Sequence, residues 1–376
     1  MIADSDRSGF ALNLKLTNII QSLFRCPYFG AGRIPIETGG RVKAVIFDEV
    51  GLPTEVLKLA EVEIREMGDD DVLVRMLASP INPGDFLFIQ DLYPEPKKPR
   101  FPRQIGGNYG AGIVEKAGKN TTLDRGALVF VTYYDTWSEY AVAPARWLIP
   151  LASGYPIQKA AQFMNLITGW DLLEESGVQP GQWLLLTAGN SSIATIVSQF
   201  AARRGVKVIS VVRTARGDMD MAAFGVTQLI DLSKSGTNLG ELIADLTHGL
   251  GTNAVIDCVG GALFGDLVRL LAMGGQAIVY GGYREDRFEL HNFDLLMKGA
   301  AIRSYIYRYF FSPPRREDLS LLQRIAESAQ PEEFRMPIGG THGLDDFKRA
   351  ITESFKRPEQ GKRLFEMSHG YRSIGQ

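Results

Sequence analysis

The stretch that decides the fold is WLLLTAGNSSIATIVSQFAARRGVKVISVVRTAR, residues 183–216. It opens on a continuous apolar run (183–187), predicts a helix over 193–204 closed by Gly205, and returns to a second apolar run over 207–212. A strand with one solvated face would alternate apolar and polar residues. Runs apolar throughout belong to a parallel sheet covered by helices on both sides. The rhythm continues with a short helix over 218–224, a strand over 228–232, a helix over 239–247, a strand over 254–258, a helix over 262–271 and a strand over 276–280. This α/β order and spacing fit a doubly wound parallel sheet of the dinucleotide-binding kind.

Upstream the pattern differs. Short β-rich runs at 42–47, 57–64, 71–77, 111–116, 127–132 and 138–142 are separated by Gly, Pro and Asp clusters. They predict a barrel-like β module ending near Pro150. A helix over 160–175 leads into the parallel sheet. Downstream, helices over 319–329 and 344–355 precede a strand-like run at 362–367, so the chain is expected to return to the β module. The expected organisation is an extension over 1–41, the first part of the β module over 42–164, an inserted dinucleotide-binding domain over 165–307 and the return over 308–376.

The composition is that of a folded protein: 376 residues, 45% hydrophobic and 22% charged. A net charge of −2 provides no global field for nucleic acid or an anionic membrane. No apolar run approaches the roughly 18 residues that a membrane span needs. Cys26 and Cys258 are the only cysteines, which excludes a disulfide framework and fits a reducing compartment. With four scattered histidines they form no metal-ligand spacing, so no metal is expected. Residues 11–24 predict an amphipathic helix. Asp4, Asp6 and few arginines make it read as an extension, with a cytoplasmic location expected and the mitochondrial matrix the alternative if 1–41 is a transit peptide.

Chemistry is expected first at the 188–194 turn, where Asn190, Ser191, Ser192 and Ile193 open a helix. Free backbone N–H groups and the positive end of the helix dipole suit a phosphate there. The turn holds one glycine, Gly189, and simple helix capping by Asn190 or Ser191 uses the same groups. Beyond the second strand stands Arg213, with Arg216 nearby, where an acid would usually meet a ribose 2′-hydroxyl. A guanidinium pairs with a 2′-phosphate through charge-assisted hydrogen bonds, which favours NADPH over NADH. Tyr280, Gly281 and Gly282 end another strand, where glycines let a ligand approach the backbone. In the β module, Asn82-Pro83-Gly84-Asp85, Gln90-Asp91-Leu92-Tyr93-Pro94 and Gly106-Gly107-Asn108-Tyr109-Gly110 read, from residue types alone, as turns and a packed or surface tyrosine.

Together these motifs, over residues 42–367, resemble the medium-chain dehydrogenase/reductases, and among them the zinc-free trans-2-enoyl thioester reductases. The resemblance implies a GroES-like β-barrel-like catalytic domain with an inserted Rossmann sheet. It places a proton-donating tyrosine on Tyr93. It places cofactor contacts on Asn165, Asn190, Ser191, Ser192, Ile193, residues 213–215, residues 280–283, Tyr305, Tyr307 and Lys362, with Arg216 beside the arginine-bearing triplet. The implied reaction is NADPH-dependent reduction of a carbon–carbon double bond conjugated to a thioester. A quinone or enone/enal reductase is the alternative enzyme, and a non-catalytic NADPH-binding protein the other. A homodimer is expected, with the aromatic run 302–311 pairing across the interface or lying buried as a strand within one chain. Three departures stand out: Gly84 replaces the family's serine, Ser192 and Ala194 replace glycines of the phosphate turn, and Tyr109 replaces an acid.

Overall fold

The computed structural model describes residues 40–94, 97–282, 284 and 286–367, apart from the side chain of residue 359. The predicted helix over 11–24 lies outside the described residues. Six strands form a wholly parallel sheet: β9 (Trp183–Leu186), β10 (Lys207–Val212), β11 (Gln228–Asp231), β12 (Thr252–Asp257), β13 (Leu271–Val279) and β14 (Ala301–Ser304). Their spatial order is β11-β10-β9-β12-β13-β14. The order reverses between β9 and β12, the point at which such sheets open a crevice beyond their carboxyl ends. β9 and β10 run apolar because both of their faces are covered: Leu184 and Leu186 enter one core cluster, and Leu185 and Ile209 another.

The β module is antiparallel apart from its final pair. β3 (Asp71–Pro80), β5 (Gly110–Ala117), β6 (Leu128–Val131) and β8 (Leu148–Pro150) continue a larger sheet, and β7 (Tyr140–Pro144) pairs with β3. β16 (Lys362–Glu366) lies between β15 (Ile338–His342) and β3, with Leu364 opposite Pro80. A smaller sheet pairs β1 (Arg41–Phe47) with β2 (Lys58–Glu63) and β4 (Gln104–Ile105).

Three of the elements that differ from the sequence expectation have a clear physical reason. The helix over 160–175 is two, Ile157–Ala161 and Phe163–Ser176, because the backbone turns at Gln162 (φ −98°, ψ 19°). The helix over 218–224 shrinks to one 3₁₀ turn, Ala222–Phe224, since Asp218 pairs with Arg216 and the Asp220 carboxylate accepts from the N–H groups of Ala222 and Ala223. Of the aromatic run only residues 302–304 are strand, the end of β14, with the Tyr305 N–H still bonded to Val279 O, and Tyr305, Tyr307, Tyr309 and Phe310 bury their rings in the core. Aromatic residues follow burial more than backbone, which is why a β-prone run became a packed loop.

Candidate active site

The helix Pro83–Ile89 begins after Asn82, whose extended backbone and following proline suit a helix start. Asp85, in its first turn, folds back. One carboxylate oxygen accepts the Asn82 N–H at 2.8 Å, and the other accepts the N–H and side-chain amide of Asn108 at 3.0 and 2.8 Å. A single buried carboxylate therefore ties the 82–85 motif to the 106–108 motif. Burial pushes its pKa up to about 6, against the opposing pull of these donors and of Lys362. Gly107 is needed here because its φ is +82° and a Cβ would run into the Trp137 indole.

Tyr93 sits above this turn. A Cβ at residue 84 would come within 2.5 Å of the Tyr93 hydroxyl, so Gly84 makes the room that the phenol uses. The Tyr93 ring meets the edge of Phe310 at 4.9 Å, and burial followed by the Asp85 charge raises its pKa. Tyr307 points into the same junction. Its hydroxyl lies 3.3 Å from that of Thr132 at the end of β6, and its ring stands edge-on to Tyr109 at 5.6 Å. Tyr305 turns elsewhere, donating to Asp171 at 3.0 Å, a carboxylate also held by both arms of Arg308 at 2.6 and 2.9 Å. Lys362, half-buried at the start of β16, has its pKa lowered by burial to about 8, offset in part by Asp85.

On the parallel sheet, Ala188 takes a positive φ of 47° and Gly189 presses against β10, where a Cβ would collide with Ser210. Ser191 caps the helix Ser192–Arg203, its hydroxyl accepting from Ala194 N–H at 3.3 Å. Capping is thus real, and it leaves the first-turn N–H groups of Ser192 and Ile193 without intrahelical acceptors. Asn190 donates to Thr214 O at 3.1 Å, while its Oδ1 is buried without a partner among the described residues. The Tyr280 phenol lies beside Ser191 and Cys258. Gly281 packs on Cys258, and a Cβ at Gly282 would meet nothing. Tyr283 lies outside the described residues. Arg213 is exposed and forms no ion pair with a described residue, whereas Arg216 is clamped by Asp218 at 2.6 and 3.0 Å. Asn165 is buried on the helix Phe163–Ser176, its side-chain amide unpartnered among the described residues.

Tyr93, Ile193, Tyr280 and Tyr307 all pack on one core cluster that runs from the β module to the parallel sheet. A phenol and a set of free N–H groups at a helix start thus share one junction, with a free guanidinium beyond β10. The free first-turn N–H groups and unpaired Arg213 fit the phosphates of a phosphorylated dinucleotide, and the orphaned acceptor Asn190 Oδ1 fits one of its ribose hydroxyls. Among the described residues, no three His, Cys, Asp or Glu side chains converge on a metal position. Sequence reasoning did not single out Asp85 as an organiser, Phe310 as the wall behind Tyr93, or Lys97, which is buried among rings. Lys97 sits in a Pro- and Lys-rich stretch that reads as a solvated loop, and its ring neighbours are distant in sequence.

Residues 68–153 match the family described as alcohol dehydrogenase GroES-like domain, and 192–326 the family described as zinc-binding dehydrogenase. Among the described residues no donor set fits the metal in that second name. This is an oxidoreductase of the medium-chain dehydrogenase/reductase superfamily. Within it the chain belongs with the enoyl-[acyl-carrier-protein] reductases: it is 30% identical to the mitochondrial one of Bos taurus over 87% of this chain and 89% of that protein. A Bacillus thuringiensis structure whose description names an NADPH:quinone reductase is 26% identical, with a TM-score of 0.77 over 88% of this chain and 100% of that one. The mitochondrial 2-enoyl thioester reductase Etr1p/Etr2p heterodimer of Candida tropicalis shares the fold at a TM-score of 0.76 and 22% identity, over 87% and 100% of the two chains.

Proposed function

We propose that this chain reduces the carbon–carbon double bond of a 2-enoyl thioester with NADPH, with Tyr93 as the proton donor. The observation that carries the reading is Tyr93 itself, seated over Gly84 and packed on the same core cluster as the Ile193 turn. The names of the enoyl-reductase relatives support the substrate class.

NADPH would be held by the N–H groups of Ser192 and Ile193, by Asn190, Ser191, Tyr280 and the Gly281-Gly282 backbone, with Arg213 on the 2′-phosphate. Asn165, Tyr307 and Lys362 would stand nearer the reacting end. When bound, NADPH supplies the hydride that reaches the substrate β-carbon. The protein's part is to keep water out with its aromatic wall, to hold the thioester so that charge gathers on its oxygen, and to give the α-carbon a proton from Tyr93. A phenol whose pKa is raised by burial stays protonated until the substrate needs the proton.

The test is NADPH consumption against 2-enoyl thioesters, enones, enals and quinones, run with wild type and Tyr93→Phe. Enoyl thioesters are expected to be the best substrates. Tyr93→Phe is expected to lower kcat about 10²–10⁴-fold with NADPH affinity kept. Quinone turnover that exceeds thioester turnover and ignores Tyr93→Phe would establish the quinone reading, which the 26% likeness favours.

Two further readings belong with this proposal. The exposed edge of β14 suits pairing with a second copy, and light scattering of the purified protein tests the homodimer. The mitochondrial names of the relatives favour that compartment. Localisation of fusions with and without residues 1–40 tests it.

A further inference from the structure

Lys97 is a buried cation at the junction that the proposed chemistry does not use. It is 3% exposed, and its ammonium lies 4.5 Å from the Tyr134 ring centroid, 5.7 Å from Phe310, and 5.9 Å from both Tyr109 and Trp147. It makes no ion pair with a described residue. Taking an ammonium out of water is costly, and ring faces return only part of what hydration gave. Asp85 acts on the ammonium only through its field, since the Asp85 oxygens are taken by Asn82 and Asn108, so a cation caged in this way is placed to answer an anion that forms during turnover.

Phe310 shows which anion. The same ring that faces the ammonium at 5.7 Å meets the Tyr93 ring at 4.9 Å. Tyr93 faces a low-dielectric wall and the negative field of Asp85, both of which oppose a phenolate. We propose that Lys97 is a positioning residue that balances Tyr93: its ring-caged ammonium offsets the phenolate left when Tyr93 yields its proton. The inference rests on the enoyl reductase reading above. In that step the Tyr93 O–H bond breaks and a C–H bond forms at the α-carbon of the substrate enolate, whose electron pair takes the proton as the thioester carbonyl re-forms. The phenolate then recovers a proton from solvent. Throughout, Lys97 keeps its proton and acts by charge alone. A unit charge that shares the Phe310 ring with Tyr93, across a partly buried junction, is worth on the order of tenfold in rate.

The experiment is a double-mutant cycle on whichever activated alkene wild type reduces. Lys97→Met removes the charge while filling the cage, and Lys97→Arg keeps the charge. Lys97→Met is expected to lower kcat about tenfold or more with KM for substrate and Kd for NADPH within twofold of wild type. Lys97→Arg is expected to recover most of that loss. In a Tyr93→Phe background, Lys97→Met is expected to cost less than twofold, because no phenolate remains to balance. Wild-type kcat in Lys97→Met, or the same loss with and without Tyr93, overturns the inference. If Lys97→Met fails to fold, low turnover in folded Lys97→Arg overturns it. Unchanged turnover in Tyr93→Phe alone sinks the proton-donor reading itself, a separate outcome.

Discussion

The two sides of the junction are built by opposite means. On the parallel sheet the candidate site rests chiefly on backbone, the first-turn N–H groups and two strand-end glycines, joined by Asn190, Ser191 and Tyr280 and by one exposed arginine that forms no ion pair with a described residue. On the β module it consists of titratable side chains, Asp85 and Lys97 buried and Tyr93 and Lys362 half-buried, each pushed from its ordinary pKa by burial first. The contrast teaches where a change should register. Alterations on the sheet side belong in cofactor affinity and salt dependence; alterations on the module side belong in stability, pH dependence and kcat.

The largest effect sought is on the module side. Asp85→Ala orphans three buried donors and is expected to cost about 3–5 kcal/mol in chemical denaturation. A loss below about 1 kcal/mol would break the contrast. Next, Arg213→Gln is expected to weaken NADPH binding about 10–100-fold, with NADH untouched and the difference shrinking as salt rises. Titration of both cofactors at two ionic strengths checks it; an equal loss for NADH would move Arg213 off the 2′-phosphate.

Lys97→Met carries a stability prediction of the opposite sign. Burial lowers the folded pKa of Lys97 to about 8 from 10.5, so the fold bears the cost of a buried charge below pH 8. That cost is relieved as pH rises from about 8 to 10.5. The variant is therefore expected to be more stable by about 1–2 kcal/mol at pH 7, with the advantage fading across that window in thermal melts. A variant less stable than wild type at pH 7 shows that the ring cage outweighs desolvation. The smallest effect is assigned to Arg216→Ala. Because Asp218 already holds both arms of Arg216, NADPH affinity is expected to change less than about threefold.

The same division explains what the sequence made legible. The strand Lys207–Val212 and the helices Leu239–Thr247 and Leu319–Ala329 match their sequence-based spans because apolar periodicity and capping are local signals. The 188–193 turn and Arg213 are legible for the same reason: a strand, a turn and a helix contiguous in sequence bring their N–H groups together. The module side is not contiguous. The cage around Lys97 draws on Tyr109, Tyr134, Trp147 and Phe310, and the carboxylate that unites residues 82–85 with 106–108 looks from residue types like ordinary turn chemistry. Only packing assembles these groups, and no window of sequence displays it. Gly84 shows the limit well: in sequence it is only a departure from the family pattern, and in space a side chain there would meet the Tyr93 hydroxyl.

One feature of topology bears on how the molecule comes into being. β16 fills the slot between β15 and β3, so strand residues made early, at Ala78 to Pro80, find their partners only in Leu364 to Glu366. Until those partners arrive, β3 offers an open rim to whatever is nearby, and Asp85 lacks the lysine that β16 delivers. A nascent chain can therefore hold every strand of its parallel sheet while the slot beside β3 is still empty, and the larger sheet of the β module closes only once Leu364 to Glu366 have been made.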